Sequence, residues 1–169
     1  MIDIRPEIPE DHDAVFEINS MAFETDAEAK LVDSVRAEGI ALISLVAIFE
    51  GRIAGHILFT PVSIDNEHES ESLMGIGPVA VLLEFQKRGI GSKLIREGLS
   101  VCENNGTSAV FVLGHVEYYP RFGFEPVAQH GLHYKESQYD QYFFVRELIP
   151  ETLKNLSGSV HFHSLFDGV

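Results

Sequence analysis

The stretch "LLEFQKRGIGSKLI", residues 82–95, decides which fold the sequence predicts. Gly89 and Gly91 lie one residue apart, directly after Lys87 and Arg88, and apolar residues at helical spacing follow them. A glycine-rich turn that opens a helix points several backbone N–H groups at one place, where the helix dipole adds positive potential. Glycine also lets an anion approach the backbone closely. The stretch therefore predicts one of two features, an ordinary strand-to-helix turn or a phosphate-binding loop.

Two common phosphate-binding motifs do not fit this turn. The dinucleotide-binding motif G-x-G-x-x-G needs a third glycine where Leu94 stands. The P-loop motif needs a Lys followed by Ser or Thr after its last glycine, and that order is absent here. A third pattern, Q/R-x-x-G-x-G/A, fits residues 86–91.

Hydrophobic periodicity predicts a single α/β (α+β) domain over residues 1–169, with a mixed central sheet flanked by helices. The strand before the glycine turn is interrupted by Gly75, Gly77 and Pro78. That interruption indicates a bulge, a local splay or a close approach by another group. The apolar run 107–114 predicts a strand buried on both faces. Strands are predicted at 1–7, 41–65 (a hairpin turning at 50–52), 73–85, 107–114, 139–148 and 157–166, and helices at 9–23, 26–39 and 92–106. Residues 115–127 are predicted as a short helix or turn that leads into another strand.

Composition limits the partners and the compartment. The formal net charge of -14 disfavours nucleic acid and anionic membranes, and it favours cationic small molecules. Cys102 is the only cysteine, so no disulfide can form within the chain and a reducing compartment is expected. Its apolar helical surroundings predict a packing role. The N-terminal residues are acidic where a signal peptide needs cations, and we expect a cytoplasmic protein.

A second motif adds to the first. Residues 119–124, "YPRFGF", have the spacing Y-x-x-x-G-F, about 30 residues after the glycine turn. Together the two motifs resemble the GNAT superfamily of N-acetyltransferases, and most closely a bacterial branch with GPxAV, QxxGIG and YYxRFGF signatures. The resemblance covers essentially the whole chain. One departure is visible, because Leu82 and Leu83 stand where that branch often has His-Pro.

The resemblance implies a cofactor site. In this family the loop backbone holds the pyrophosphate of coenzyme A, and the pantetheine arm lies in a gap between two splayed strands. The co-substrate implied is acetyl-CoA. The residues that the resemblance places against it are Val79, Ala80, Val81, Gln86, Lys87, Arg88, Gly89, Ile90, Gly91, Ser92, Gly114, His115 and Tyr119.

The resemblance also implies catalytic roles. Acyl transfer to an amine needs a donor for the oxyanion, an acceptor for the amine's proton and an acid for the leaving thiolate. The backbone N–H of Val79 would polarise the carbonyl, and Tyr119 would protonate the thiolate, with neighbouring Tyr118 as the alternative. The base is left open between Glu28, His56 and water.

Several points stay open on the sequence alone. The acceptor is expected to be a small-molecule or peptide amine, and the acidic segment around Asp65, Glu67, Glu69 and Glu71 is either a solvated loop or an attractor for a cationic acceptor. No metal site is predicted, and a homodimer is compatible with the resemblance. The rival function is a non-catalytic acyl-CoA sensor, which would keep the loop of Gly89 but would not need Tyr119.

Overall fold

The computed structural model describes residues 1–65, 72–135, 137–167 and 169, without the side chain of residue 137. Its helices are α1 (His12–Ala22), α2 (Ala27–Ala37) and α3 (Ile90–Asn104). Its strands are β1 (Ile2–Pro6), β2 (Ile43–Phe49), β3 (Arg52–Ile64), β4 (Leu73–Val81), β5 (Ala109–Leu113), β6 (Glu125–Pro126), β7 (Leu132–Tyr134), β8 (Phe143–Glu147) and β9 (Gly158–Phe162). Short 3-10 turns connect several of them, including Leu83–Phe85, Tyr119–Phe122 and Ser164–Phe166.

The predicted α/β class with a mixed sheet is confirmed, and so is the order of the elements, with one omission. β7 was missed because it has only three residues, which is too short to show a period. The short helix predicted after β5 is a single 3-10 turn, Tyr119–Phe122.

The chain forms two compact units. Unit 1 contains Met1–Phe59, Gly77–Ser100 and Ser164–Val169, and unit 2 contains Thr60–Ile76 and Val101–His163. The single domain expected from the sequence stays a prediction.

In unit 1, antiparallel strands carry helices on both faces. β1 pairs with β2 and β2 with β3, and the β2–β3 hairpin turns at Glu50-Gly51, where both φ angles are positive as a tight primed turn requires. A Cβ on Gly55 would lie 2.9 Å from Ile90, so α3 packs closely against this face of β3. Leu58 points to the other face, where it joins a core with α1 and α2 made of Val15, Leu31, Val32, Val35 and Val46.

In unit 2, β5 is the central strand. Its residues Ala109–Phe111 pair in parallel with Leu73–Gly75 of β4, and its other edge pairs antiparallel with β8, which β6 joins. The first four residues of β5 are buried, which confirms the prediction from its apolar run. The end of β3 pairs with β9, and β9 pairs in parallel with β7.

Gly75 and Gly77, which interrupt β4, make room for aromatic rings of the same chain. A Cβ on Gly75 would lie 2.5 Å from the ring of Phe162 in unit 2, and one on Gly77 would lie 3.2 Å from the ring of Phe166 in unit 1. Of the three explanations weighed for this interruption, close approach by another group therefore accounts for both glycines.

Cys102 is fully buried, as its apolar helical surroundings predicted. Burial raises the pKa of its thiol to about 11, although a hydrogen bond with Thr107 acts in the opposite direction. The thiol therefore stays protonated near neutral pH, which removes its nucleophilicity.

Candidate active site

The loop between β4 and α3 combines a left-handed backbone with the start of a helix. Lys87 and Gly89 both have positive φ, at 64° and 84°. The first helical bond of α3 runs from Lys93 N–H to the carbonyl of Gly89 over 3.0 Å. The first N–H groups of an α-helix have no acceptor within their own helix, which is why helix N-termini commonly bind anions. A Cβ on Gly89 would meet nothing within 4 Å, so the space beside it is open.

Two cationic side chains lie at this loop, and one of them, that of Arg88, makes a cation–π contact with an aromatic ring. Lys87 and Arg88 are exposed, and the guanidinium of Arg88 lies 5.6 Å from the ring centroid of Phe49. Phe49 in turn contacts the ring of Phe85 edge-on, at 5.2 Å. This contact anchors the residue just before the loop to the tip of the β2–β3 hairpin.

The start of the loop is tied to the end of β4. Gln86 Nε2 donates to the carbonyl of Val81 over 3.2 Å. Along the strand, Val79 and Val81 are partly exposed while Ala80 between them is buried. Ile90 is buried, and Gly91 and Ser92 are partly exposed. Unit 1 thus brings together the residues from 79 to 92 that the sequence assigned to the cofactor.

Unit 2 brings together Gly114, His115 and Tyr119. Tyr119 is buried, with 8% of its surface exposed, and its ring meets those of Tyr118 and Phe124 edge-on. Burial, together with the nearby Tyr118, raises the pKa of the Tyr119 hydroxyl to about 12. His115 is exposed, and its carbonyl accepts the N–H groups of Tyr118 and Tyr119 at 3.2 and 3.4 Å.

Tyr118, the alternative acid, differs from Tyr119 in its surroundings. It is partly buried, and the guanidinium of Arg121 lies 4.8 Å from its ring centroid. Its ring therefore serves as a contact for Arg121 as well as for Tyr119.

The two base candidates lie in different environments. Glu28 is partly exposed in the first turn of α2. His56 is fully buried on β3. Burial, with a smaller contribution from Arg36, lowers the pKa of His56 to about 3.

Both ring nitrogens of His56 are engaged. The amide Nδ2 of Asn19 is a donor only, so at 3.2 Å it donates to His56 Nδ1. The ring proton then lies on Nε2 and is donated to Ser44 Oγ over 2.8 Å. Asn19 also donates to the carbonyl of Val15, which fixes the orientation of its amide. This network joins α1, β2 and β3.

The remaining predicted residues divide between described and undescribed parts of the chain. Asp65 accepts a hydrogen bond from His161 Nε2 over 2.9 Å. Glu67, Glu69 and Glu71 lie outside the described residues.

Within the described ranges, no helix has both the length and the apolar character that a membrane crossing requires.

Sequence reasoning missed Phe49, Asn19 and Ser44. Phe49 meets Arg88 from the far end of a hairpin, and Asn19 and Ser44 meet His56 across 37 and 12 residues of chain. No local spacing reports such contacts, so only the folded structure reveals them.

The fold and the loop define an acetyltransferase of the GNAT class. Residues 3–127 match the family described as the acetyltransferase (GNAT) domain, and the chain belongs to that family. It is 35% identical over 165 residues to YhbS, described as an uncharacterized N-acetyltransferase, of Escherichia coli strain K12. That match covers 97% of this chain and 98% of YhbS.

Two solved structures of GNAT family acetyltransferases are also similar to this chain. The crystal structure of YhbS from Escherichia coli in complex with CoA superposes with a TM-score of 0.91 at 34% identity, over 98% of this chain and 91% of that one. A GNAT family acetyltransferase from Brucella melitensis in complex with acetyl-CoA gives a TM-score of 0.81 at 33% identity, over 99% of both chains.

Proposed function

We propose that this protein transfers the acetyl group of acetyl-CoA to a primary amine, by direct attack of the amine in a ternary complex. The observation that carries the proposal is the loop of Lys87 and Gly89, with its left-handed backbone, its open side and the helix N-terminus behind it. The two relatives of known structure bind CoA and acetyl-CoA, which supports the same cofactor here. The proposal takes the whole chain as one domain acting in the cytoplasm, on the ground of its lone cysteine, and allows a homodimer.

The loop would hold the pyrophosphate. Two phosphates carry negative charge that the helix N-terminus and the N–H groups of Gly89, Ile90 and Gly91 offset. Lys87 and Arg88 add positive charge, and Arg88 is already oriented by Phe49. Val79, Ala80 and Val81 would lie along the pantetheine arm, Ser92 at the loop's far end, and Gly114 and His115 near the sulfur.

The reaction would need no covalent acetyl-enzyme. The backbone N–H of Val79 would stabilise the oxyanion while the amine forms its bond to the carbonyl carbon. Tyr119 would then give its proton to the departing thiolate. A phenol whose pKa is about 12 keeps its proton throughout the working range of pH. Burial that raises the pKa of a phenol also makes a thiolate beside it more basic, so proton transfer stays feasible.

For the base, we propose Glu28, directly or through water. Its carboxylate is partly exposed, so it can reach solvent and an incoming ammonium. His56 stays a prediction in this role, and it would first have to release both Asn19 and Ser44.

The test of the proposal is acetyl-CoA turnover with a panel of amines, measured as thiol release, for the wild type and Tyr119→Phe. A general acid contributes about 10²–10⁴-fold, so we expect kcat to fall by at least about 100-fold with little change in the KM for acetyl-CoA. Tyr118→Phe is the matched control and should retain most of its activity.

Two results would count against the proposal. Full activity in Tyr119→Phe removes Tyr119 as the acid. Tight CoA binding by the wild type with no turnover of any amine instead supports the acyl-CoA sensor.

A further inference from the structure

The ring of Tyr119 lies directly on the backbone of Gly114. A Cβ on Gly114 would lie 2.2 Å from Cε2 of Tyr119, 2.8 Å from Cδ2 and 3.3 Å from Cζ. The first two separations are well inside van der Waals contact, so no side chain fits at position 114 while the ring keeps its place. The φ angle of Gly114 lies outside the left-handed region, so the backbone conformation does not require glycine there. The Tyr119 ring, which occupies the space of a side chain, is therefore the reason that position 114 is a glycine.

The strand holds Gly114 in place, and other rings surround Tyr119. The N–H of Gly114 donates to the carbonyl of Tyr142 over 2.8 Å, which continues the pairing of β5 with β8 by one residue. On its other sides, the Tyr119 ring is bounded by Tyr118 at 5.2 Å and Phe124 at 5.7 Å between ring centroids. A methyl group at position 114 must therefore displace the ring rather than the strand.

No hydrogen bond to a described residue holds the hydroxyl of Tyr119 in place. Among the described residues none accepts or donates a hydrogen bond at this hydroxyl, although the ring itself is buried. The packing of the ring therefore sets the position of the hydroxyl, and the ring lies close against Gly114.

We propose that Gly114 is a positioning residue, whose missing side chain sets where the Tyr119 hydroxyl stands. The inference rests on the proposed function, in which that hydroxyl protonates the departing thiolate. It gives Gly114 a role beyond the cofactor contact expected from the sequence, because the residue acts on the reaction through Tyr119.

The test combines Gly114→Ala with Tyr119→Phe in a double-mutant cycle. Displacing a reacting group by about 1 Å can cost about 100-fold, so Gly114→Ala alone should lower kcat by at least about 10-fold while the KM for acetyl-CoA changes little. In the Tyr119→Phe background the same substitution should change kcat by less than about twofold, because the hydroxyl it misplaces is already gone. Leu113→Ala, an exposed neighbour on β5, is the control and should change neither value.

A second measurement does not depend on activity. The ultraviolet difference titration between each protein and its Tyr119→Phe counterpart isolates the ionisation of Tyr119. We expect the pKa of about 12 in the wild type to fall toward the ordinary value when Gly114→Ala pushes the ring out of its site. The Leu113→Ala control should leave it unchanged.

The outcomes separate the two proposals. Equal loss of kcat from Gly114→Ala in both backgrounds, or an unchanged Tyr119 titration, overturns the positioning role. Full activity of Tyr119→Phe counts against the proposed acid, and the titration still decides whether Gly114 places the ring. If Gly114→Ala does not fold, recovery of folded protein when Tyr119→Leu is added supports the contact, and no recovery refutes it.

Discussion

At the scale of single residues, the backbone of the loop between β4 and α3 is the feature on which the proposed function depends most. A residue other than glycine rarely has a positive φ, and the 64° of Lys87 stands two residues before the 84° of Gly89. Such conformations cost free energy and persist where the surrounding structure requires them. In the proposed function, the requirement is a loop whose N–H groups bind the pyrophosphate.

Gly89→Asp should remove CoA binding. The new carboxylate would take the position of the anion and repel the diphosphate, so we expect affinity measured by calorimetry to fall by more than about 100-fold, equivalent to about 2.7 kcal/mol. Gly106→Asp is a matched control, because Gly106 has a φ of 82° and also has nothing within 4 Å of a Cβ, just past the C-terminal end of α3. The strain of the substitution is therefore the same in both variants. Equal loss of affinity in the two variants, or none in either, would contradict a phosphate site at Gly89.

The sequence was informative about residues whose partners are near in the chain. The glycine turn predicted the start of a helix, and α3 begins at Ile90. The residues around Tyr119 predicted a short helix or turn, and a 3-10 turn is present at Tyr119–Phe122. The sequence did not show why position 114 is a glycine, because the cause is a contact with the ring of Tyr119 and no residue spacing indicates such a contact.

At the scale of elements, the network of His56 joins α1, β2 and β3 inside unit 1. Its hydrogen bonds to Asn19 and Ser44 require the neutral ring. The folded protein therefore excludes a proton that the unfolded chain accepts. Burial of the ring, with a smaller contribution from Arg36, acts in the same direction, so the stability of the folded protein depends on pH through His56.

The sign and size of this dependence follow from the pKa of His56, which falls from 6.5 to about 3 on folding. The contribution is fully present above the unfolded value and is lost as the pH falls from that value toward 3. Lowering the pH from about 7 to about 5 should cost about 2 kcal/mol of unfolding free energy. Urea denaturation at both pH values, for the wild type and His56→Gln, measures it. The variant should lack this part of the pH dependence, and an identical slope in both proteins would refute the assignment.

Element order was predicted well from periodicity, and for a physical reason. The helical spacing of α3 extends over 15 residues, and the five residues of β5 form one apolar run, so both are visible in the sequence. β7 has three residues and β6 has two, so their existence depends on the strands they pair with. The pairing partners of β9, which include both β3 and β7, lie far away along the chain and leave no trace in its own sequence.

At the scale of the whole molecule, the net charge of -14 is the property most relevant to the acceptor. A strongly negative protein raises the local concentration of cations and speeds their association, and added salt weakens both effects. The charge therefore favours an acceptor that carries more positive charge than the single reacting amine.

Salt dependence tests this preference. For two accepted amines that differ by additional cationic groups, we expect the KM of the more highly charged one to rise by about threefold or more when salt is increased from about 0.02 M to about 0.5 M. The KM of the monoamine and the KM of acetyl-CoA, which is an anion, serve as references. A parallel change for both amines would show that the overall charge has no part in choosing the acceptor.

The single, fully buried thiol has a practical consequence for all of these assays. Cys102 keeps its proton and is buried away from reagents. A disulfide reagent that becomes coloured on reaction with free thiols will therefore measure released coenzyme A with almost no background signal from the folded enzyme. Once the polypeptide unfolds, one equivalent per chain becomes reactive. The same dye can therefore follow both turnover and loss of the native state in one cuvette.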